Sequence, residues 1–211
     1  MQIELQSIRP DPIPENLIPD SEVWESDLTI ESGQKCLIAA QSGRGKSTLL
    51  HILYGLRKDF SGDALIDGHS VCNRTACEWE TIRKQRISLL FQDLKLFPQL
   101  SARENLELIP ETNPSAPSID EMLGKVGMEK FSEQSVETLS FGQRQRIALL
   151  RALRKPYELL LLDEPFSHLD KENTRAACEL IEQTTGLNQA SLLISSLGDE
   201  PPISFDGKFR L

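Results

Sequence analysis

A chain of 211 residues has room for one well-buried domain and at most a small subdomain beside it. Its 39% hydrophobic and 26% charged residues make an ordinary soluble balance. The net charge of -9 argues against a general nucleic-acid binder, which carries a basic face.

In chain order, Met1-Gln2-Ile3-Glu4-Leu5 lacks the basic segment and apolar core of a signal peptide. No later stretch approaches the roughly 18 uninterrupted apolar residues of a membrane span, so any service to a membrane runs through a partner. Ile3 and Leu5 alternate with polar neighbours as on an edge strand, and Pro10, Pro12, Pro14 and Pro19 break the next stretch into an extended surface loop. Lys35–Ala39 reads as a short buried strand running into a glycine-bearing turn. The helical pattern Thr48–Tyr54 comes next, with Gly55 as its stop. Phe60–Gly68 reads as a strand and turn, and Ile87–Phe91 as another apolar strand. From Ser101 to about Glu137 the pattern is helical, interrupted by a loop from Pro110 to Pro117. A helix over Gln143–Leu153, a strand over Glu158–Leu162, a helix over Thr174–Thr184 and a core strand over Ala190–Ile194 complete the alternation. Ile203–Leu211 reads as a short terminal pair of strands. Strands alternating with helices predict an α/β fold with a largely parallel sheet.

The turn after the first buried strand carries chemistry. Ala40-Gln41-Ser42-Gly43-Arg44-Gly45-Lys46-Ser47-Thr48 fits the phosphate-binding P-loop at all but its first glycine. Gly43 and Gly45 let the backbone wrap so that successive amide N–H groups point at phosphate oxygens, and the following helix adds its N-terminal partial charge. Lys46 sets a cation against the β- and γ-phosphates, and the Ser47 hydroxyl can ligate Mg²⁺. A bound nucleotide with Mg²⁺ is what this loop predicts.

Asp163 and Glu164 end the apolar strand Leu159–Leu162, at the carboxyl edge of the sheet where ligands bind. Asp163 is placed to hold Mg²⁺ through its water shell. Glu164, one residue on, points elsewhere and can polarise an attacking water. Gln92 follows the strand Ile87–Phe91, and its amide can reach Mg²⁺ and orient water.

Leu139-Ser140-Phe141-Gly142-Gln143, a short distance ahead of these acids, resembles the signature sequence LSGGQ of the ATP-binding-cassette (ABC) ATPases. The P-loop, Gln92, the signature, Asp163-Glu164 and Ser167-His168-Leu169-Asp170 (commonly SALD) stand in that family's order, over Leu28 to about Ser196. The resemblance implies a P-loop NTPase core with an N-terminal antiparallel β part and an inserted helical subdomain at about 101–156, all within one cassette spanning 1–211. It gives Glu164 the role of catalytic base and Gln92 that of the Q-loop glutamine. It also brings Ser140, Gly142 and Gln143 to the γ-phosphate held by a second cassette. The segment Phe91–Leu100 through Glu104-Asn105-Leu106 is similar to cassettes of the lipoprotein-releasing and macrolide-export type.

Besides Ala40, three positions depart from the family pattern. Phe141 replaces a glycine, and His168 replaces an alanine and is expected to be a surface or interface residue. Ser196 aligns with a histidine that touches the γ-phosphate. A serine hydroxyl can hydrogen-bond phosphate but carries no positive charge, so hydrolysis is expected to be slower or more dependent on a partner. The aromatic residue that stacks on adenine in the family is also missing from its usual place: Trp24 either takes that role or packs internally.

The implied function is the ATP-binding and hydrolysing subunit of an ABC transporter, driving membrane permease subunits through pairing of two cassettes, with no nucleic acid involved. The alternative is a regulatory or non-transport ABC ATPase with low hydrolysis. Cys36, Cys72, Cys77 and Cys178 show neither zinc-ligand spacing nor a disulfide framework, which fits a reducing cytosol. The expected location is therefore peripheral, on the cytoplasmic face of the cell membrane.

Overall fold

A computed structural model describes residues 1–109, 113–114, 116–198 and 200–211. Nine strands and six α-helices form among the described residues. The strands are β1 (Ile3–Pro10), β2 (Asp27–Ile30), β3 (Lys35–Ala39), β4 (Phe60–Ile66), β5 (His69–Ser70), β6 (Ile87–Leu90), β7 (Leu159–Asp163), β8 (Ser191–Ser196) and β9 (Gly207–Arg210). The helices are α1 (Lys46–Leu53), α2 (Ala76–Gln85), α3 (Ala102–Glu107), α4 (Ile119–Lys125), α5 (Phe141–Arg154) and α6 (Lys171–Asn188).

Two sheets result. One is antiparallel in the order β2-β1-β4-β5, and the other runs β6-β7-β8-β3-β9 with every pair parallel. Strand alternation divides the apolar residues of the parallel sheet between two cores. Leu37, Leu160, Leu162, Leu192 and Ile194 face Ile147 and Leu150 of α5 and Leu180 and Ile181 of α6. Cys36, Ile38, Leu159, Leu161 and Leu193 face α1, α2 and the apolar side of the antiparallel sheet. Covered on both faces, β7 is leucine throughout until it reaches its terminal aspartate. Burying each such leucine stabilises the fold by about 1.5–3 kcal/mol.

Two expectations are corrected. β1 is not an edge strand, because β2 pairs on one side of it and β4 on the other. Leu28 and Ile30 of β2 supply the neighbour that the proline-rich stretch obscures. The C-terminus is a single strand, β9, laid parallel to β3, and Ile203 packs instead in the core beneath α5 and α6. Helix α2 is an addition, since its apolar stripe is thin, with only Trp79 and Ile82 buried. Its capping box, Thr75 with Glu78, is the signal that announces it.

The helical stretch after Ser101 resolves into α3, α4 and two short 3-10 turns before α5. Of the expected Pro110–Pro117 loop, Pro110, Glu111, Thr112 and Ser115 lie outside the described residues. Capping boxes at Ser101/Glu104, Ser118/Glu121 and Ser140/Gln143 start α3, α4 and α5. The last of these begins α5 at Phe141, two residues ahead of the expected start.

Candidate nucleotide site

The parallel order β6-β7-β8-β3 delivers four loops to one carboxyl edge. Leu90 pairs with Leu162, Asp163 with Ser195, and Ala39 with Ser196, so Gln92, Asp163, Ser196 and the P-loop leave the sheet side by side. Sequence order scatters these residues; strand register gathers them.

Lys46, only 4% exposed, opens α1. Its ammonium donates to the carbonyls of Ala40 (2.9 Å) and Gln41 (3.1 Å) and lies 3.2 Å from Glu164 Oε1. Gly43 and Gly45 both have positive φ, 81° and 97°, which a side chain would resist. At Gly45 there is a second constraint: a Cβ would come within 2.8 Å of the Trp24 ring. Trp24 lies beneath the loop, 1% exposed, and its indole N–H donates to the Arg44 carbonyl at 3.3 Å. Trp24 therefore packs internally and presents no face to an adenine. Gln41, Ser42 and Gly43 form the exposed crest, with Arg44 and Ser47 half-buried beside it. The Thr48 hydroxyl accepts a hydrogen bond from Arg57 (3.1 Å), which also donates to the Asp11 carbonyl.

Asp163 is 3% exposed and accepts the Ser195 hydroxyl hydrogen at 2.6 Å. Among the described residues it has no ion pair, because the lysine cation is turned to Glu164. A buried carboxylate left without a counter-charge fits a bound cation. Glu164 has a φ of 48°, in the left-handed region, and its carboxylate pairs with Lys46 while that of Asp163 is held by Ser195. Its N–H is fastened to Ser195 through both the carbonyl (3.2 Å) and the hydroxyl (3.1 Å). Ser195 thus fixes both acids, and sequence reasoning missed it. A cavity of about 580 Å³ opens behind Glu164, lined by Ser195, Ser196, Leu197, Lys171 and Arg175 among others.

Ser196 stands next to the P-loop, where its carbonyl accepts from Ala40 N–H (3.0 Å) and its hydroxyl from Gly198 N–H (3.3 Å). Gln92 is exposed beyond β6. The loop it begins is tied back to α5, whose Arg151 donates to the Leu94 carbonyl at 2.9 Å.

The signature residues sit at the other end of α5. Ser140 Oγ accepts from Gln143 N–H at 3.3 Å while Gln143 Oε1 accepts from Ser140 N–H at 2.8 Å. The Ser140 hydroxyl hydrogen stays available to an anion. Gly142 packs so closely that a Cβ would meet the His168 carbonyl oxygen at 2.7 Å. Gln145, 2% exposed, joins this helix to the acid strand: its amide donates to the Glu164 carbonyl (2.9 Å) and to Ser167 Oγ (3.3 Å), and its oxygen accepts from His168 N–H (3.3 Å). Gln145 is a second residue that sequence reasoning missed; its place one turn into α5 was the available signal. The structure brings the P-loop, Asp163, Glu164 and Ser196 together, while Ser140, Gly142 and Gln143 form a separate surface.

The sequence profile described as "ABC transporter" matches residues 24–167. The lipoprotein-releasing system ATP-binding protein LolD of Buchnera aphidicola is 38% identical over 80% of this chain and 76% of that protein. The ABC transporter ATP-binding protein YtrE of Bacillus subtilis is 32% identical over 87% of this chain and 82% of its own length. A dimeric structure of the ATP-binding cassette MJ0796, in a post-hydrolysis state bound to ADP and Pi, superposes with a TM-score of 0.74 at 26% identity, covering 93% of this chain and 88% of that one. With its parallel sheet, P-loop and signature helix in these relations, the chain belongs to the ABC transporter family of ATP-binding cassettes.

Proposed function

We propose that this chain is the ATP-binding and ATP-hydrolysing subunit of an ABC transporter, powering membrane subunits as two copies close on ATP and open after hydrolysis. The carrying observation is the sheet edge where Lys46, Asp163 and Glu164 meet, joined through Gln145 to the signature helix. The dimeric MJ0796 cassette with ADP and Pi supports the pairing.

In this reading the whole chain, 1–211, is one cassette, with its helical part at about 101–156. Backbone amides of Gln41–Ser47 and the start of α1 bind the phosphates, and Lys46 leaves Glu164 to meet the β- and γ-phosphates. Released from that ion pair, Glu164 accepts a proton from the attacking water, which Gln92 helps to orient. Ser47, Gln92 and Asp163 would hold Mg²⁺, whose charge offsets that of the phosphates. Ser140, Gly142 and Gln143 of the partner copy supply donors to the γ-phosphate from the far side.

No described helix is long and apolar enough to cross a membrane. In this reading membrane permease subunits hold the cassette on the cytoplasmic face of the membrane. Phe97, 53% exposed in the loop that begins at Gln92, is the docking candidate there, whereas Leu96 packs against the core. The LolD relatives support a system of the lipoprotein-releasing type.

A second reading, an ATP-dependent regulator with little turnover, draws on Ser196 at the switch position. The test is steady-state ATP hydrolysis by the complex purified from membranes. Glu164→Gln is expected to lower the rate about 10²–10⁴-fold. Wild-type turnover no higher than this control would reject the transporter reading in favour of the regulator.

A further inference from the structure

Two departures from the family pattern, Phe141 and His168, are 27 positions apart in sequence yet touch in the structure. Their ring centroids lie 4.4 Å apart at an interplanar angle of 67°, an edge-to-face contact. Neither ring serves a core: Phe141 is 39% exposed as the first residue of α5, and His168 is exposed in the loop after β7. The Arg144 guanidinium lies 5.6 Å from the Phe141 ring centre. Beneath the rings, the backbones are already joined by the close approach of Gly142 to the His168 carbonyl and by the Gln145–His168 hydrogen bond.

We propose that Phe141 and His168 are positioning residues that act as one aromatic clamp. The clamp fixes the first turn of α5 to the Ser167–Asp170 loop, so that the signature donors and the segment carrying Glu164 meet a second copy of this chain as one rigid surface. A glycine at 141 and an alanine at 168 leave that relation to the backbone alone; here the rings add a side-chain constraint. Edge-to-face geometry is favoured because the positive edge of one ring meets the negative face of the other. The exposed position of the pair means that it orders this surface rather than supporting the fold. The proposal rests on the pairing of two cassettes argued above.

The experiment uses the full chain with Phe141→Leu, Phe141→Gly, His168→Ala, His168→Phe and the double variant Phe141→Leu/His168→Ala. The first measurement is the proton shift of the His168 imidazole in the unpaired protein, assigned by its loss in His168→Ala. A displacement in the wild type that vanishes in Phe141→Leu establishes the contact, and an unchanged shift overturns the clamp. The second is the ATP concentration giving half-maximal self-association, followed by light scattering.

Phe141→Leu and His168→Ala are each expected to raise that concentration on the order of 2- to 10-fold, with the double variant no worse than the poorer single. ATP affinity of the single copy should stay unchanged, and His168→Phe should keep the wild-type value. Additive losses, no loss, or His168→Phe behaving like His168→Ala would overturn the proposal. Phe141→Gly, should it fold, is expected to match Phe141→Leu, and wild-type association in its place overturns the clamp. Wild-type protein that does not associate on ATP overturns the pairing reading and the clamp with it. Intact association with no imidazole displacement overturns the clamp alone.

Discussion

The P-loop edge and the signature surface hold their shape by different means. At the P-loop, backbone conformation governs: two glycines at positive φ, carbonyls gripping a buried ammonium, and a tryptophan filling the space below. At the signature, side chains do more of the ordering, through the Ser140/Gln143 capping box, Gln145 reaching to the acid strand, and the Phe141–His168 contact. A site built from backbone tolerates few changes of residue type, and this P-loop departs from its pattern only at Ala40. A surface ordered by side chains can exchange one packing solution for another, and there the chain departs at Phe141 and His168.

The contrast can be broken first at Trp24. Trp24→Ala removes a buried ring from under Gly45 and is expected to lower unfolding free energy by about 3–5 kcal/mol, measured by urea denaturation. Little loss of stability would mean that the loop holds itself without its floor. Ser195→Ala probes the junction of the two acids and should lose about 1.5–3 kcal/mol in the same assay, the worth of a hydrogen bond to a charged group. On the signature side, Gly142→Ala forces a Cβ against the His168 carbonyl and is expected to lose about 1–3 kcal/mol, read as a lower thermal midpoint. A variant as stable as the wild type would show that the two segments can part freely.

A last effect, read as a slope with pH and not as a single loss of stability, concerns the far end of α5. Burial, with Arg83's charge adding to it, lowers the Lys155 ammonium from 10.5 to about 8. Its amine donates to the Ile87 carbonyl at 2.9 Å, tying the helix end to β6. Between about pH 8 and 10.5 the unfolded chain binds more protons at this site than the folded one. The site's contribution to stability therefore rises with pH across that window. Subtracting the stability curve of Lys155→Met from that of the wild type should isolate an upward slope there. A flat difference would mean that the ammonium is as well solvated folded as unfolded.

Much of this was legible in the sequence because the features are local. A P-loop is nine consecutive residues, Ala40–Thr48, and its glycines state their own conformation. Asp163 and Glu164 close an unbroken apolar strand, a local pattern that by itself places them at a sheet edge. The N-terminal strand was harder. Its interior position depends on β2, whose brief Leu28/Ile30 alternation comes after a long irregular segment. Helix α2 stayed hidden because two buried residues make a poor helical stripe, although Thr75 and Glu78 mark its start.

By itself the sequence pointed to an ABC-type cassette, and to Lys46, Asp163, Glu164 and the signature as its candidate site residues. Local backbone preference and residue chemistry suffice for that. Only the tertiary structure decided which residues hold these in place. Ser195 reaches Asp163 across 32 positions, Gln145 reaches Glu164 across 19, and Trp24 reaches Arg44 across 20. Such contacts depend on strand register and helix docking, which no short stretch of sequence encodes. The same holds for Phe141 and His168, two separate exceptions in sequence that the fold turns into a single contact.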